Sequence, residues 1–233
     1  MRPALLGDQM SQPTWLWWSS GKDSAWTLGA LATDPRYQVT GLVTTVNTQF
    51  DRIAIHGVRR RLLQAQASAL DLPLRIAPIS YPCPNGAYED AVDAVVAAAV
   101  EVGVRWMAFG DLYLEDIRVY REGLLAGTGI QPVFPLWGKD TQMLGRDMIE
   151  AGMDARVTCV DSSCLPAEFA GRRYDLDFLA DLPDGVDACG ENGEFHTFVC
   201  EGPLFAHPIQ VRVGDRVTRD GTVFCDLTLA EPD

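Results

Sequence analysis

The hexapeptide SSGKDS at residues 19–24 combines residue types that bind phosphate, directly after the apolar run WLWW. Backbone amides at the start of a helix point toward an anion, and the helix dipole favours negative charge there. Gly21 lets the backbone approach a ligand closely, Lys22 brings a mobile positive charge, and Asp23 could hold Mg²⁺ or orient the loop. Hydroxyl donors come from three serines, Ser19, Ser20 and Ser24. The stretch therefore predicts a phosphate-binding loop.

A plainer interpretation of this hexapeptide is an N-capped helix after a strand, with the serines as caps. The stretch is not a Walker A loop, because the spacing GxxxxGK[ST] is absent. Lys22 favours ligand binding, since the chain has only two lysines among 19 basic residues. The other lysine, Lys139, lies in the sequence WGKDT, which is typical of a charged surface loop. Lysine alone therefore does not mark a ligand site.

A second group of candidates closes an acidic run. The segment 174–194 contains seven acids and no lysine or arginine, and most charges in such a run are solvated. Glu191, Glu194 and His196 stand at its end, where the dipeptide NG predicts a turn leading into a strand. Carboxylates there could act as general bases.

The elements that position these groups follow from hydrophobic periodicity. In the first half of the chain, short apolar strands alternate with amphipathic helices, which predicts a parallel, doubly wound sheet. The predicted strands are 15–18, 37–46, 72–79 and 105–111, and the predicted helices are 22–32, 56–70, 89–103 and 114–127. Three stretches then fall at the carboxyl ends of strands, where such sheets bind ligands: 19–24, Thr44–Asn47 and Gly110–Asp111.

The second half of the chain has a different pattern. It predicts a helix over 141–152, a strand over 155–161 and antiparallel strands over 195–230, with Asp220-Gly221 as a hairpin turn. The fold class is therefore α/β, a doubly wound parallel Rossmann-like sheet with a smaller C-terminal α+β region. The predicted domains are a nucleotide-binding domain, 1–128, and a C-terminal substrate domain, 129–233.

Composition limits the partners. The net charge of −13 disfavours a nucleic-acid substrate, because such binding depends on basic groups. No segment reaches the length of an apolar membrane span, and the first fourteen residues lack the apolar stretch of a signal peptide. We therefore expect a cytoplasmic protein without membrane or nucleic-acid partners. The six cysteines form no CxxC pair, which predicts reduced thiols, mostly in the core.

The motif SSGKDS resembles the SGGxDS pyrophosphate loop of the PP-loop ATPases, also called N-type ATP pyrophosphatases, which cleave ATP between its α and β phosphates. The chain is similar, over most of residues 14–205, to the branch of this superfamily that contains diphthine–ammonia ligase. The similar stretches are 42–74, 109–122, 135–161 and GENGEFHTFVCEGPLF at 190–205. The resemblance implies an adenine nucleotide alpha hydrolase fold of the HUP type.

Two departures from the family pattern stand out. Ser20 replaces the usual second glycine of the loop, which is tolerable if that residue has a negative φ. The second motif, GENGEFHTF, is similar to the form in bacterial relatives rather than to the EGGE-type form of archaeal and eukaryotic ligases. Because diphthine is a modified histidine of elongation factor 2 that is not expected in bacteria, the substrate stays open.

The resemblance implies a two-step reaction. A substrate carboxylate attacks the α-phosphate of ATP and releases pyrophosphate, and ammonia then displaces AMP to give an amide. ATP and Mg²⁺ are the implied cofactors, and the carboxylate is unknown, or elongation factor 2 diphthine in an archaeal or eukaryotic host. The implied catalytic residues are Lys22, Asp23, Glu191, Glu194 and His196.

The implied nucleotide site extends beyond residues 19–24. Thr44 and Thr45, at the end of the second strand, would line the adenosine side, and His56, opening the next helix, could reach the ribose or phosphates. A surface histidine at a helix start is the plainer interpretation of His56. Gly110 and Asp111 would lie beside the nucleotide, and Asp23 and Asp111 are the implied contacts of Mg²⁺. Arg118 and Arg121 share one helix face and either bind phosphate or carboxylate or pair with Glu115 and Glu122.

Two other functions remain open from the sequence. Cys159, Cys164 and Cys189 raise sulfur transfer as a rival within the superfamily, but neither a cysteine pair nor a basic face for tRNA is visible. A sensor that binds ATP without turnover is the rival from another class, although a pure binder has no need of the second motif. The sequence leaves the oligomeric state open, a homodimer included.

Overall fold

The first β-sheet is built from the N-terminal half of the chain. The computed structural model describes residues 11–230, and within them this sheet has six strands, five of which run parallel in the order β4, β2, β1, β5, β6. The strands are β1 (Gln12–Trp17), β2 (Tyr37–Asn47), β3 (Arg52–Ile53), β4 (Leu74–Ile79), β5 (Trp106–Ala108) and β6 (Gln131–Val133). The strand order reverses between β1 and β5, the position where doubly wound sheets bind ligands. The predicted α/β class is confirmed.

Helices connect the parallel strands, as the periodicity predicts. They are α1 (Lys22–Ala32), α2 (Arg60–Ala69), α3 (Asn85–Glu101) and α4 (Glu115–Leu125), followed in the C-terminal half by α5 (Thr141–Glu150) and the short α6 (Leu176–Ala180). On α2, Leu62 and Leu63 are buried while Arg61 and Gln64 are exposed. No helix within residues 11–230 is long and apolar enough to cross a bilayer.

The second sheet is antiparallel and lies in the C-terminal half. Its strand order is β8, β7, β10, β9, with bounds β7 (Asp154–Asp161), β8 (Phe195–Glu201), β9 (Val211–Arg219) and β10 (Thr222–Leu229). The predicted hairpin turn at Asp220-Gly221 is confirmed, since both residues have positive φ, 47° and 81°. The six cysteines are free thiols, four of them buried, as expected.

The two halves share one hydrophobic core. Leu16 and Trp18 of the first sheet pack in the same cluster as Phe198 and Leu227 of the second. Strand β6 begins past the predicted boundary at 128 and completes the first sheet. The division into domains 1–128 and 129–233 stays a prediction.

Three local expectations were wrong. Helix α2 begins at Arg60 rather than at residue 56, because Gly57 has a left-handed φ of 65° and its position leaves no room for a Cβ beside the Phe224 ring. Helix α3 begins at Asn85, four residues before the predicted start at 89. Strands β3 and β6 went unpredicted, since two or three residues carry no readable period.

Gln66 joins both halves of the molecule through hydrogen bonds. Its side chain is fully buried, at 0% exposure, on the inner face of α2. Its carbonyl oxygen accepts from the Trp18 indole nitrogen at 2.8 Å, and its amide nitrogen donates to the carbonyls of Ser20 (3.0 Å) and Val199 (2.8 Å). One side chain therefore holds the end of β1, the loop after it and strand β8 together.

We predict that Gln66→Met destabilises the fold while Gln64→Met, an exposed position on the same helix, does not. The first change leaves the Trp18 indole N–H and the Val199 carbonyl buried without this partner, at a cost of about 2–5 kcal/mol. At this chain length the melting temperature should fall by roughly 5–15 °C. Thermal unfolding followed by circular dichroism measures both variants, and equal melting temperatures would contradict the role of Gln66.

Candidate active site

The loop after β1 is held by strand β8 from the other half of the chain. The Ser20 carbonyl accepts hydrogen bonds from the Val199 amide at 3.0 Å and from Gln66. A Cβ on Gly21 would lie 3.1 Å from the Thr197 carbonyl oxygen and 3.2 Å from its hydroxyl. The Lys22 amide donates to that hydroxyl at 3.1 Å. Glycine is therefore the residue that allows the loop to contact β8 so closely.

Ser20 adopts a left-handed conformation, with φ of 72°. The condition under which serine would be tolerable here, a negative φ, is therefore not met. A residue with a Cβ pays roughly 1–2 kcal/mol in this region, which explains why glycine suits the position. The Ser20 hydroxyl is also buried without a hydrogen-bond partner.

The other two serines close the loop on itself. The hydroxyls of Ser19 and Ser24 lie 3.2 Å apart, the Gly21 amide donates to Ser19, and the Ser24 hydroxyl donates to the Gly21 carbonyl. Gly21 is the N-cap of α1 and no side chain caps the helix. Thr197 already takes the amide of Lys22, so an anion at this helix start would be met by the amides that follow it.

Lys22 is buried rather than mobile, which corrects the expectation from its type. Its side chain is 1% exposed, and its Nζ donates to Asp23 at 2.9 Å and to the Cys189 carbonyl. The rings of Tyr174 and Phe195 lie 5.5 and 5.2 Å from Nζ. Burial by itself would lower the pKa of Lys22. The electrostatic effect of Asp23, followed by that of Cys189, is larger and raises this pKa, so the amine is charged.

Three carboxylates lie close enough to one another, near the ends of β1 and β5, for their charges to interact. Asp23, Asp111 and Glu191 interact electrostatically with one another, and burial is the main cause that raises the pKa of each. The pKa of Glu191 rises to about 7. One oxygen each of Asp23 and Asp111 is buried without a hydrogen-bond partner. Residues distant in sequence therefore form an acidic cluster with unused oxygens.

The two glutamates of the second motif have different environments. One oxygen of Glu191 accepts from the amides of Leu112 (2.7 Å) and Tyr113 (3.3 Å), which places its carboxylate at the end of β5. Glu194 instead accepts three bonds from its own loop, from the amides of Asp187 and Asn192 and the side chain of Asn192. Glu191 is thus available for chemistry, while Glu194 shapes the loop that carries it.

The two candidate histidines meet. His56 lies in the turn between β3 and α2, not at the helix start, and its ring centroid is 4.2 Å from that of His196 on β8. Burial, then the charge of Lys22, lower the pKa of His196 to about 4, and burial, His196 and Lys22 lower the pKa of His56. Two neutral imidazoles therefore stand near Lys22, able to donate and accept hydrogen bonds.

The remaining candidates surround the same edge of the sheet. Strand β2 continues to Asn47, so Thr44 and Thr45 lie inside the strand and not at its end. Along the edge of β2 that faces β1, pairing with β1 ends at Val43 and pairing with β3 begins at Val46. Within residues 11–230, the backbone of Thr44 and Thr45 therefore has no strand partner on that edge. This gap adjoins the loop and suits a flat ligand edge.

Gly110 lies against the start of α1. A Cβ on this residue would lie 3.2 Å from backbone atoms of both Asp23 and Ser24. Its absence brings the end of β5 against the start of α1, which places Asp111 beside Asp23. Gly110 acts on the site through this close contact.

The donors at this edge fit Mg²⁺ in part. Within residues 11–230, no group of three or more His, Cys, Asp and Glu side chains is placed to hold a metal alone. Mg²⁺ is usually held by one or two carboxylates together with substrate phosphates. The unpartnered oxygens of Asp23 and Asp111 fit that pattern.

Sequence reasoning missed Gln66, Thr197 and the rings of Tyr174 and Phe195. Gln66 gave one readable signal, because it is a polar residue on the same helix face as Leu62 and Leu63. The others gave none, since the contact of Thr197 with Lys22 joins residues 175 positions apart.

Comparisons with known proteins identify the family of this chain. Residues 13–132 match the diphthamide synthase N-terminal domain, and residues 140–230 match the diphthamide synthase C-terminal domain. The chain belongs to the diphthamide synthase family. The resemblance to the diphthine–ammonia ligase branch is thereby confirmed.

Curated relatives of the family carry the name diphthine–ammonia ligase. The Bos taurus protein is 27% identical over 178 aligned positions, and the alignment covers 71% of this chain and 67% of the relative. The Homo sapiens protein is 26% identical over 150 aligned positions, with coverage of 62% of this chain and 56% of the relative. The Mus musculus protein is 22% identical over 231 aligned positions, with coverage of 90% of this chain and 86% of the relative. The match thus covers between about half and two thirds of the bovine and human relatives.

We predict that Ser20→Gly stabilises this member of the diphthamide synthase family. Glycine removes the left-handed strain of about 1–2 kcal/mol, offset in part by greater freedom of the unfolded chain. The melting temperature should rise by about 2–4 °C. Ser20→Ala is the matched control, because it removes the unpartnered hydroxyl and keeps the strain. A Ser20→Gly protein no more stable than Ser20→Ala would contradict the conformational argument.

We also predict opposite effects for the two glutamates of the second motif. Because the pKa of Glu191 is raised to about 7 from 4.5, the folded state binds a proton that the unfolded state lacks between these values, so stability falls as pH rises through this window. Glu191→Gln should remove that slope and exceed the wild type in stability above about pH 7. Glu194→Gln should be less stable than the wild type across the same window. Both oxygens of Glu194 accept hydrogen bonds, and in glutamine an NH₂ group replaces one of these acceptors. Melting curves across the window test this, and parallel curves for wild type and Glu191→Gln would exclude it.

Proposed function

We propose that this chain is an ATP-dependent, AMP-forming amide ligase that activates a carboxylate and transfers ammonia to it. The enzyme class, a ligase that forms a carbon–nitrogen bond, follows from the family. The observation that carries the proposal is the meeting of Asp23, Asp111 and Glu191 at the point where the strand order reverses. The phosphate loop and the second motif thereby share one site.

The first step in this proposal forms a bond between a carboxylate oxygen and the α-phosphorus of ATP and breaks the bond to the β-phosphate. Positioning and charge stabilisation supply most of the catalysis for such transfers. The start of α1 would face the departing pyrophosphate, with Lys22 held close by. His56 and His196, both neutral, would donate to ribose or phosphate oxygens. The backbone of Thr44 and Thr45, unpaired on the β1 edge within residues 11–230, would line the adenosine.

Asp23 and Asp111 would hold Mg²⁺ together with phosphate oxygens. The ion would neutralise charge that develops on the leaving pyrophosphate. Around it, Lys22 fixes Asp23 through the 2.9 Å contact, and Gly110 fixes the distance between the strand end and the helix start.

The second step needs ammonia rather than ammonium. Glu191 is the proposed base, because a pKa of about 7 suits proton transfer near neutral pH, and its carboxylate is held by two amides. Ammonia attacks the activated carbonyl carbon, AMP leaves, and the proton passes to Glu191. Glu194 supports this step by ordering the loop.

The substrate is the open part of the proposal. The relatives' name gives diphthine as their carboxylate, and we propose diphthine here for a host that makes it and another carboxylate otherwise. Sulfur transfer fits less well, because burial raises the pKa of both Cys159 and Cys189 to about 12, so these thiols stay protonated. We retain the predictions of a cytoplasmic location and of no nucleic-acid partner.

The test is the nucleotide product. The chain is incubated with Mg-ATP and ammonium, with and without small-molecule or protein fractions of host extract, and the products are separated by chromatography. AMP and pyrophosphate are expected. Lys22→Met should lower their formation by about a hundredfold, because it removes a charge beside the phosphates and keeps the volume against Tyr174 and Phe195.

Lys139→Met, which changes the other lysine, is the matched control and should leave the rate unchanged. Glu191→Gln should release pyrophosphate but form no amide. ADP as the product would exclude cleavage between the α and β phosphates. ATP that binds and stays intact in every fraction would favour the sensor.

A further inference from the structure

Two arginines of α4 lie over a row of aromatic rings next to the acidic cluster. The row runs Trp17, Phe109, Phe134, Trp137, with successive ring centroids 6.1, 5.5 and 5.9 Å apart. The guanidinium of Arg121 lies 5.1 Å from the Phe109 ring and 5.4 Å from that of Trp17. The guanidinium of Arg118 lies over the other two rings, at 4.7 and 5.1 Å.

Arg121 is held in place without being hydrogen-bonded. Its side chain is 18% exposed, yet the guanidinium donates no hydrogen bond within residues 11–230, and its Nε is buried without a partner. A guanidinium carries five N–H donors, and the one on Nε is costly to leave unmet because it is buried. The aromatic rings therefore lie against a group whose donors meet no protein acceptor in the described part of the chain.

The neighbouring Asp111 does not meet this need. Its Oδ2 lies 3.7 Å from Arg121 Nε, and both atoms lack a hydrogen-bond partner. The other seven arginine–carboxylate pairs within residues 11–230 approach to 2.5–2.9 Å, although their arginines are more exposed. The most buried arginine of these pairs thus has the longest contact. An ordinary structural ion pair does not explain Arg121.

Arg118 provides the comparison on the same helix. It stacks on the same aromatic row, but its Nε donates to Glu122 at 2.8 Å and its side chain is 34% exposed. Arg118 is thus a more exposed arginine with a hydrogen-bonded carboxylate, whereas Arg121 lies 3.7 Å from the carboxylate of Asp111 and donates no hydrogen bond to it.

We infer that Arg121 binds the carboxylate of the acyl substrate. A planar guanidinium stacked on rings presents its edge as a two-pronged donor, which matches a carboxylate. Its place beside Asp111 brings that carboxylate to the same strand end as the acidic cluster. This inference rests on the proposed function and names the residue that selects an acid as its substrate.

The first test uses acetate, the simplest carboxylate with a carbon chain, as the probe. The full chain is labelled with ¹⁵N, and the Arg121 Nε–H signal is assigned by its loss in Arg121→Lys. Acetate at constant ionic strength should shift this signal saturably and leave that of Arg118 in place. No saturable shift would overturn the inference, and tighter binding of inorganic phosphate would assign Arg121 to the nucleotide instead.

The second test separates this inference from the proposed function. Arg121→Gln should weaken acetate binding by about tenfold to a hundredfold, and the affinity for ATP should stay the same. Arg118→Gln is the matched control and should change neither. If Arg121→Gln does not fold, Arg121→Lys, which keeps the charge and loses the fork, serves in its place. Because acetate binding needs no turnover, a chain that never forms AMP can still confirm the carboxylate site, and an active chain can still refute it.

Discussion

The contact between strand β8 and the loop after β1 is the constraint on which the rest of the site depends. The Ser20 carbonyl receives two donors, from the Val199 amide and from Gln66, and the Gly21 backbone lies against Thr197 with no room for a Cβ. A buried carbonyl that loses its donors costs on the order of 1–3 kcal/mol, so this contact fixes the loop conformation strongly. Because the loop conformation sets the start of α1, the C-terminal sheet positions the phosphate-binding amides of the N-terminal sheet. Neither half forms the site alone.

The burial of Lys22 follows from the same docking. An ammonium group removed from water is unfavourable unless it is paired and hydrogen-bonded. Asp23 supplies the opposite charge from the N-terminal half, and the Cys189 carbonyl with the rings of Tyr174 and Phe195 supplies the rest from the C-terminal half. The lysine therefore links the two motifs physically, and its compact ammonium suits a place against two rings and a carbonyl.

The sequence predicted what local periods and known motifs encode, and it failed where distant contacts decide. Helix α1, the alternation of strands and helices and the hairpin at Asp220 each follow from residues near in sequence, and they were correct. The predicted start of α2 was wrong because Gly57 has a left-handed φ, which a helix does not allow. The ring of Phe224, far along the chain, leaves no room for a Cβ at this position. The left-handed φ of Ser20 depends in the same way on β8. The motifs located the site, but only the fold shows that Glu191 faces Asp111 while Glu194 turns back into its own loop.

The charge balance of the site explains why these acids are compatible with an anionic ligand. Asp23, Asp111 and Glu191 carry up to three negative charges, against one each on Lys22 and Arg121. A polyphosphate entering this cluster would meet repulsion unless a cation enters with it or a carboxylate takes up a proton. The unpartnered oxygens of Asp23 and Asp111 suit the binding of a cation. The pKa of about 7 means that Glu191 takes up a proton near neutral pH at little cost in free energy. In the proposed reaction the acidic cluster would accept positive charge, whether metal, ammonium or proton, in step with the negative charge that the nucleotide brings.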